Sequence, residues 1–206
     1  MQKKKDLTTE QKILEVAEKL FLDKGFAATS TTEIAKKAGC NHAMLHYYFR
    51  TKEKLFQKIF ENKIGLFAQA FLEPGNPEDD FETNLRRRVS AHFDMIRNNP
   101  KLPLLILTEM ASNPERIALL RESLGSFPDK LFESLNKDLE KEIEKGTIRP
   151  VSGRNLLMNI LSLNAFFFAS LPVFSLMLGM PKGDTKAFIE QRREEITETI
   201  IHSLKP

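Results

Sequence analysis

Cysteine is almost absent from this sequence, which has one residue of this type, Cys40, in 206. A single cysteine excludes a disulfide within the chain and is typical of proteins in a reducing compartment, so we expect a cytoplasmic location. The first residues are rich in lysine, and charged residues interrupt the apolar positions that follow. Because a secretory signal needs an uninterrupted apolar stretch, we expect none here.

The patterns that carry enzyme chemistry are missing as well. The sequence has no glycine-rich phosphate loop, no G-x-S-x-G elbow and no H-E-x-x-H motif. His42 and His46 are four residues apart, a spacing that suits two metal ligands on one helix, but His92 and His202 are far away in sequence. We therefore predict no enzyme activity, no cofactor and no metal site.

Positive charge is concentrated at the N-terminal end. Residues 1–54 contain eleven Lys or Arg and seven Asp or Glu and carry +4, whereas the remainder carries −1. A basic head on a near-neutral body favours a polyanion as partner, although a solvated surface with a local excess of charge fits the same numbers. Lys3, Lys4 and Lys5 form either an arm against DNA or a solubilising tail.

Apolar residues recur at helical spacing along nearly the whole chain, and no segment predicts a strand. This pattern indicates an all-α protein. Behind the N-terminal region it predicts helices over about 80–98, 130–145, 155–178 and 185–204. Four prolines between 100 and 128 punctuate the middle of the chain, where the pattern assigns no helix.

Two short helices near the N-terminus meet the local demands of a helix-turn-helix. An S-x-x-E capping sequence begins at Ser30 and opens the first helix, in which Ala35 is the small residue that a close helix crossing needs. Gly39 follows four residues later and tolerates the positive φ of the turn. Asn41 caps the second helix, and Leu45 anchors it to the first. Any helical hairpin with a glycine turn shares part of this pattern.

Over about residues 8–56 the sequence resembles the DNA-binding domain of the TetR/AcrR family of transcriptional regulators. The residues that carry the resemblance, in fixed register, are Gln11, Lys12, Ile13, Leu14, Ala17, Leu20, Phe21, Gly25, Phe26, Thr29, Ser30, Ile34, Ala35, Ala38, Gly39, Leu45, Tyr48, Phe49, Lys52, Glu53, Leu55 and Phe56. The rest of the chain resembles the family in architecture only. The sequence departs from it at Ala43, where most relatives have Gly or Pro, and at His46, where they have Tyr.

The resemblance implies two domains: a three-helix helix-turn-helix DNA-binding domain over 1–54 and a larger helical ligand-binding and dimerisation domain over 55–206. It implies a ligand-responsive regulator, a repressor that a small molecule releases from a palindromic operator in double-stranded DNA. It also implies a homodimer formed through the last two helices.

Two groups of residues follow as candidates for the DNA interface. Those that point outward from the second short helix are candidates for base contacts: Asn41, His42, Ala43, Met44 and Tyr47. Those at helix N-termini or at positions that contact the DNA backbone in the resembling family are candidates for phosphate contacts: Thr29, Ser30, His46, Tyr48, Thr51 and Lys52. Packing of the two short helices also predicts Tyr48 and Ile34 on their inner side.

Residues 155–181 contain no charged side chain. By length alone the stretch predicts a membrane helix, so the alternative interpretation is a membrane-associated helical protein. Its asparagines and serines, and Pro172 within it, favour instead a helix buried at the dimer interface and pocket wall, without a membrane.

The C-terminal region is rich in Phe and Met, which suit both an ordinary core and a cavity for an apolar or amphipathic ligand. The candidate pocket residues are Phe67, Phe93, Met110, Phe132, Asn159, Asn164 and Phe167. Asn159, Asn164 and Glu109 are polar residues in apolar stretches. They either orient a ligand or form hydrogen bonds within the protein.

Overall fold

The computed structural model of the protein describes residues 8–72, 78–179 and 185–206, with the side chains of 66–72 and 185 left out. The regular secondary structure of these residues is entirely helical, as predicted. The helices are α1 (Thr9–Lys24), α2 (Thr31–Ala38), α3 (His42–Phe49), α4 (Lys52–Leu72), α5 (Phe81–Arg97), α6 (Leu102–Ala111), α7 (Pro114–Leu124), α8 (Phe127–Glu144), α9 (Gly153–Met177) and α10 (Thr185–His202).

The short helices begin and end where the sequence predicts. The side chain of Ser30 accepts a hydrogen bond from the backbone N–H of Glu33, and that of Asn41 accepts one from Met44. Gly39 ends α2 in the left-handed conformation, with φ 72°. These caps satisfy backbone N–H groups that have no partner within the helix, which explains why such short helices are fixed in place.

Two helices in the middle of the chain, α6 and α7, were not predicted. Pro103 and Pro114 lie in their first turns, where a residue without a backbone N–H is tolerated, rather than in breaks between helices. Pro172 lies inside α9 without ending it. The other predicted helices agree with the structure to within a few residues.

The first of two compact units comprises the chain up to Gly65 together with Leu104–Ser123. Its core extends beyond the predicted domain boundary at residue 54, because α4 and α6 contribute buried apolar residues. These core residues are Ile13, Ala17, Leu20, Phe21, Ile34, Ala35, Leu45, Phe49, Leu55, Phe56, Ile59, Phe60 and Leu105.

The second unit comprises Leu66–Pro103 and Leu124–Pro206, and its core is built from α5, α8, α9 and α10. A polar pair lies inside this core: Asn164 donates hydrogen bonds from Nδ2 to Nδ1 of His92, at 3.0 Å, and to the backbone oxygen of Val89, at 3.2 Å. His92 is 3% exposed and Asn164 is fully buried. Burial lowers the pKa of His92 to about 4, because the protein interior disfavours the charged imidazolium.

Helix α9 has a large apolar surface that the described residues do not cover. Among the described residues it is the one helix that is long and apolar enough to cross a membrane, and 22% of its most apolar window is buried. Its exposed apolar side chains are Met158, Phe166, Val173, Phe174, Leu176 and Met177.

Candidate nucleic-acid interface

The inner face of helix α3 packs into the core of the first unit. Leu45 is 1% exposed and Phe49 is 5% exposed, and both lie in the same core as Ile34 and Ala35 of α2. Since residues three and four apart share a face of a helix, burying Leu45 and Phe49 turns the remaining positions of α3 toward solvent.

The five candidates for base contacts are all exposed. Tyr47 is the most exposed of the large ones, at 70%, and Met44 is 38% exposed. Asn41 and His42 are partly engaged, because Oδ1 of Asn41 accepts the Met44 N–H and Nε2 of His42 lies 3.0 Å from the hydroxyl of Thr31. All five candidates therefore lie on the solvent-exposed part of α3 and its N-terminal cap.

Four of the six candidates for phosphate contacts are also exposed: Ser30, His46, Tyr48 and Thr51. Ser30 and Thr51 cap α2 and α4, and the hydroxyl of Thr51 accepts the N–H of Lys54. The prediction that Tyr48 lies on the inner side is wrong. Leu45 and Phe49 occupy that face, so the Tyr48 ring lies outside, against the ring of Tyr47 at a centroid distance of 5.4 Å.

Thr29 and Lys52, the other two candidates for phosphate contacts, form hydrogen bonds within the protein. Thr29 is 1% exposed, and its hydroxyl donates to the backbone oxygen of Gly25 at 2.8 Å, so its side chain does not face a phosphate. The ammonium of Lys52 donates to the backbone oxygens of Phe26 and Thr29, each at 2.9 Å. At most one of its three N–H donors is left for DNA.

The six pocket candidates with described side chains do not come together in one cavity. Phe67 lies outside the described side chains, and Met110 packs against the core of the first unit. Asn159 is exposed, because it lies on the uncovered face of α9, and Phe132 is partly buried beside Arg154.

The remaining three candidates belong to the second unit. Asn164 is hydrogen-bonded within the core, and Phe93 is stacked on Phe167 at a centroid distance of 5.9 Å. Of the six candidates with described side chains, Phe167 lines the cavity of about 580 Å³ that α9 and α10 form.

Sequence reasoning missed residues that bear on the interface. Arg50 directly follows α3 and is exposed. Among the described residues other than glycine, Arg50 is the one with a positive φ, 59°. Its place between the outward face of α3 and the cap of α4 was readable from the sequence. Glu109 and Arg116 form an ion pair, and Glu109 also contacts Phe26 in the α1–α2 turn. The sequence gives one indication of this arrangement, an acidic residue within an apolar stretch.

A small residue at the crossing of α2 and α3, a left-handed glycine in the turn and an exposed outer face on α3 define a helix-turn-helix DNA-binding protein. The family model for bacterial regulatory proteins of the tetR family matches residues 13–59, and the model described as the tetracyclin repressor-like C-terminal domain matches residues 82–200. The chain belongs to the TetR family. Members of this family are DNA-binding transcriptional regulators rather than enzymes.

Similar proteins include the fatty acid metabolism regulator protein of Bacillus subtilis, 24% identical over 66% of this chain and 69% of its own length. The transcriptional repressor NicS of Pseudomonas putida is 33% identical over 49% of this chain and 48% of its own. A solved structure, the TetR family regulator PfmR of Thermus thermophilus, is 26% identical with a TM-score of 0.65 and covers 94% of this chain and 99% of its own. The chain spans 58%, 66%, 69% and 48% of the length of four curated relatives.

Proposed function

We propose that this protein is a cytoplasmic, ligand-responsive repressor that binds a palindromic DNA operator as a homodimer and dissociates when a small molecule binds. The observation that carries the proposal is the outer face of α3, whose flat, polar and small side chains are exposed on a helix fixed by Leu45. A helix of this kind fits the major groove of B-form DNA. One relative, NicS, is named a repressor, and another, FasR, is named an activator.

In this proposal the two groups of exposed residues have different tasks. The base edges are read by Asn41, His42, Ala43, Met44 and Tyr47. The phosphates are bound by Ser30, His46, Tyr48 and Thr51. Phosphate contacts fix the register of the protein on the duplex, and base contacts select the sequence.

Selection of bound duplexes from a random pool by the purified protein tests DNA recognition. We expect a palindrome whose half-sites lie about one helical turn, ~10 base pairs, or slightly more apart. Tyr47→Ala should weaken binding to the selected duplex by roughly 5- to 150-fold, since one good base contact contributes about 1–3 kcal/mol of discrimination. It should leave the affinity for random duplex unchanged.

Ile117→Ala is the matched control, because Ile117 is 50% exposed on α7 of the same unit. It should change neither affinity. An equal loss on selected and random duplexes after Tyr47→Ala would contradict the base-reading role.

The homodimer is proposed to form through α9 and α10, because the described residues leave the apolar face of α9 uncovered. Phe166 is 63% exposed on this face. A contiguous apolar face of this kind is typical of an obligate interface between subunits.

Phe166→Glu should convert the dimer to a monomer in sedimentation equilibrium, because a carboxylate without a partner would be buried. We expect the dimer dissociation constant to rise by roughly a hundredfold, which corresponds to about 3 kcal/mol. Leu107→Glu on α6 is the matched control, since Leu107 is 61% exposed. A wild-type protein that stays in solution only with detergent would favour the membrane interpretation of α9 instead.

The ligand is proposed to be small and apolar or amphipathic. The cavity of about 580 Å³ has aromatic lining from Phe166, Phe167 and Phe174 and charged lining from Arg192 and Glu195. Aromatic rings suit the apolar body of a ligand, and a few charged groups suit its polar end. A second copy seated on α9 and α10 would close this cavity. The name of the Bacillus subtilis relative, a fatty acid metabolism regulator protein, is in line with this class of ligand.

A further inference from the structure

Phe26, in the turn between α1 and α2, is held by side chains from three later helices of the first unit. Its backbone N–H donates to Oε1 of Glu109 on α6 at 2.9 Å, and its backbone oxygen accepts from Nζ of Lys52 on α4 at 2.9 Å. The same Nζ lies 4.1 Å from the centre of the Phe26 ring, and the guanidinium carbon of Arg116 on α7 lies 3.9 Å from it. Both cations are within the range of cation–π attraction. We call this cluster of Phe26, Lys52, Glu109 and Arg116 the Phe26 clamp.

Two members of the Phe26 clamp, Glu109 on α6 and Arg116 on α7, form an ion pair with each other. Nη1 of Arg116 donates to Oε2 of Glu109 at 2.5 Å, so the two oxygens of Glu109 are shared between Arg116 and the Phe26 N–H. The Arg116 side chain is 11% exposed and that of Glu109 is 17% exposed. Arg116 also binds Glu53, in the first turn of α4, at 3.0 Å and 3.2 Å. The charge-assisted hydrogen bond between Arg116 and Glu109 is little exposed and therefore stronger than a surface ion pair, whereas Glu53 is 53% exposed.

The clamp links two of the segments that form the proposed DNA interface. In addition to the backbone oxygen of Phe26, the ammonium of Lys52 binds the backbone oxygen of Thr29. Thr29 directly precedes Ser30, the residue that caps α2. Lys52 is itself the first residue of α4 and directly follows Thr51, the other proposed phosphate-binding cap. The hydrogen bonds of Lys52 therefore connect the segments that carry the caps at Ser30 and Thr51, in addition to the apolar core that α2 and α4 share. Since a duplex presents its phosphates at set distances, the separation of these caps governs the fit to the backbone.

We propose that Glu109 and Arg116 are positioning residues for DNA binding, which act through Phe26 and Lys52 and do not contact DNA themselves. This inference rests on the proposed function, because it takes the caps of α2 and α4 as phosphate-binding sites. It assigns a role in DNA affinity to two side chains of α6 and α7, helices that lie outside the matched DNA-binding segment, residues 13–59.

The negative charge of Glu109 allows a positioning role to be distinguished from a purely electrostatic effect on DNA affinity. Glu109→Gln removes one negative charge and keeps an oxygen that can accept the Phe26 N–H, but it loses the ion pair with Arg116. If Glu109 acted on DNA only through its charge, its loss would strengthen binding, because a polyanion is repelled by carboxylates. A positioning role has the opposite sign and predicts weaker binding.

The test measures the affinity of the full-length chain for the duplex that the wild-type protein selects from a random pool. Glu109→Gln should weaken binding roughly tenfold, which corresponds to about 1.4 kcal/mol. The slope of log affinity against log salt should stay the same, since no phosphate contact is removed. Arg116→Lys, which keeps the charge but not the geometry of the two ion pairs, should weaken binding in the same way. Glu122→Gln, an exposed acid on α7, is the matched control and should not weaken binding.

A second measurement follows the clamp without DNA. Amide hydrogen exchange at Phe26 should become faster in Glu109→Ala, while exchange at Ala17 in the middle of α1 stays unchanged. Unchanged exchange at Phe26, or DNA binding by Glu109→Gln that is as tight as wild type or tighter, would overturn the inference while leaving the proposed function intact. A wild-type protein without preference for any duplex would overturn the proposed function, and this inference with it.

Discussion

Replacement of Leu45 by alanine is expected to destabilise the first unit by about 3 kcal/mol, since truncation of a buried leucine leaves a cavity and removes apolar contacts. Leu45 is 1% exposed and, with Phe49, fixes α3 to the core that contains Ile34 and Ala35. The measurement is urea unfolding followed by circular dichroism, combined with amide exchange that reports the two units separately. The variant should also bind the selected duplex more weakly, because α3 is no longer anchored to the core.

Met44→Ala is the matched control for Leu45→Ala. The two residues are neighbours on the same helix, but Met44 is 38% exposed. Its truncation should change the free energy of unfolding by no more than about 0.5 kcal/mol, the range typical of surface substitutions. Equal stability of the two variants would show that Leu45 does not anchor α3.

Acidification is expected to destabilise the second unit through His92. Burial lowers the pKa of His92 to about 4 in the folded protein, whereas the unfolded chain has the ordinary value near 6.5. Between these two values the unfolded state binds a proton that the folded state does not, so the free energy of unfolding falls as the pH falls from about 6.5 toward 4. The accumulated loss is about 3 kcal/mol when the pH has reached the lower value.

Unfolding in urea at a series of pH values measures this effect against two variants. His92→Leu should be less stable than wild type at neutral pH, because Asn164 loses the acceptor for one of its hydrogen bonds. The difference should shrink as the pH falls, because the variant lacks the titrating group. His202→Gln, which replaces a histidine outside the core, is the second variant and controls for the loss of an exposed imidazole. Parallel curves for wild type and His92→Leu would refute the assignment.

The features of the fold that the sequence predicts are those determined by neighbouring residues. Ser30, Gly39, Asn41 and Thr51 act within three or four residues of their own position, so their side-chain chemistry is sufficient to place helix starts and the turn. The exposed side of α3 follows in the same way from the spacing of Leu45 and Phe49. This is why the five candidates for base contacts could be named without a structure.

The features that the sequence does not predict depend on partners far along the chain. Nothing near Lys52 in sequence indicates that its ammonium binds the backbone oxygens of Phe26 and Thr29, more than twenty residues earlier. The apolar character of Met110 predicts a place in a pocket of the C-terminal domain, but Met110 on α6 packs against the core of the first unit. The sequence pattern predicts breaks at the middle prolines, because a proline that begins a helix and one that ends it cannot be told apart when the cap is not known.

The chain has no tryptophan and two tyrosines, and both, Tyr47 and Tyr48, are exposed on α3. When light is chosen that phenylalanine does not absorb, the intrinsic fluorescence of the entire protein therefore originates from this one helix. Stacking against bases or exclusion of water from the two phenol rings changes their emission. Occupancy of the proposed operator can thus be followed optically on unlabelled protein, with the reporter already located at the surface whose role is in question.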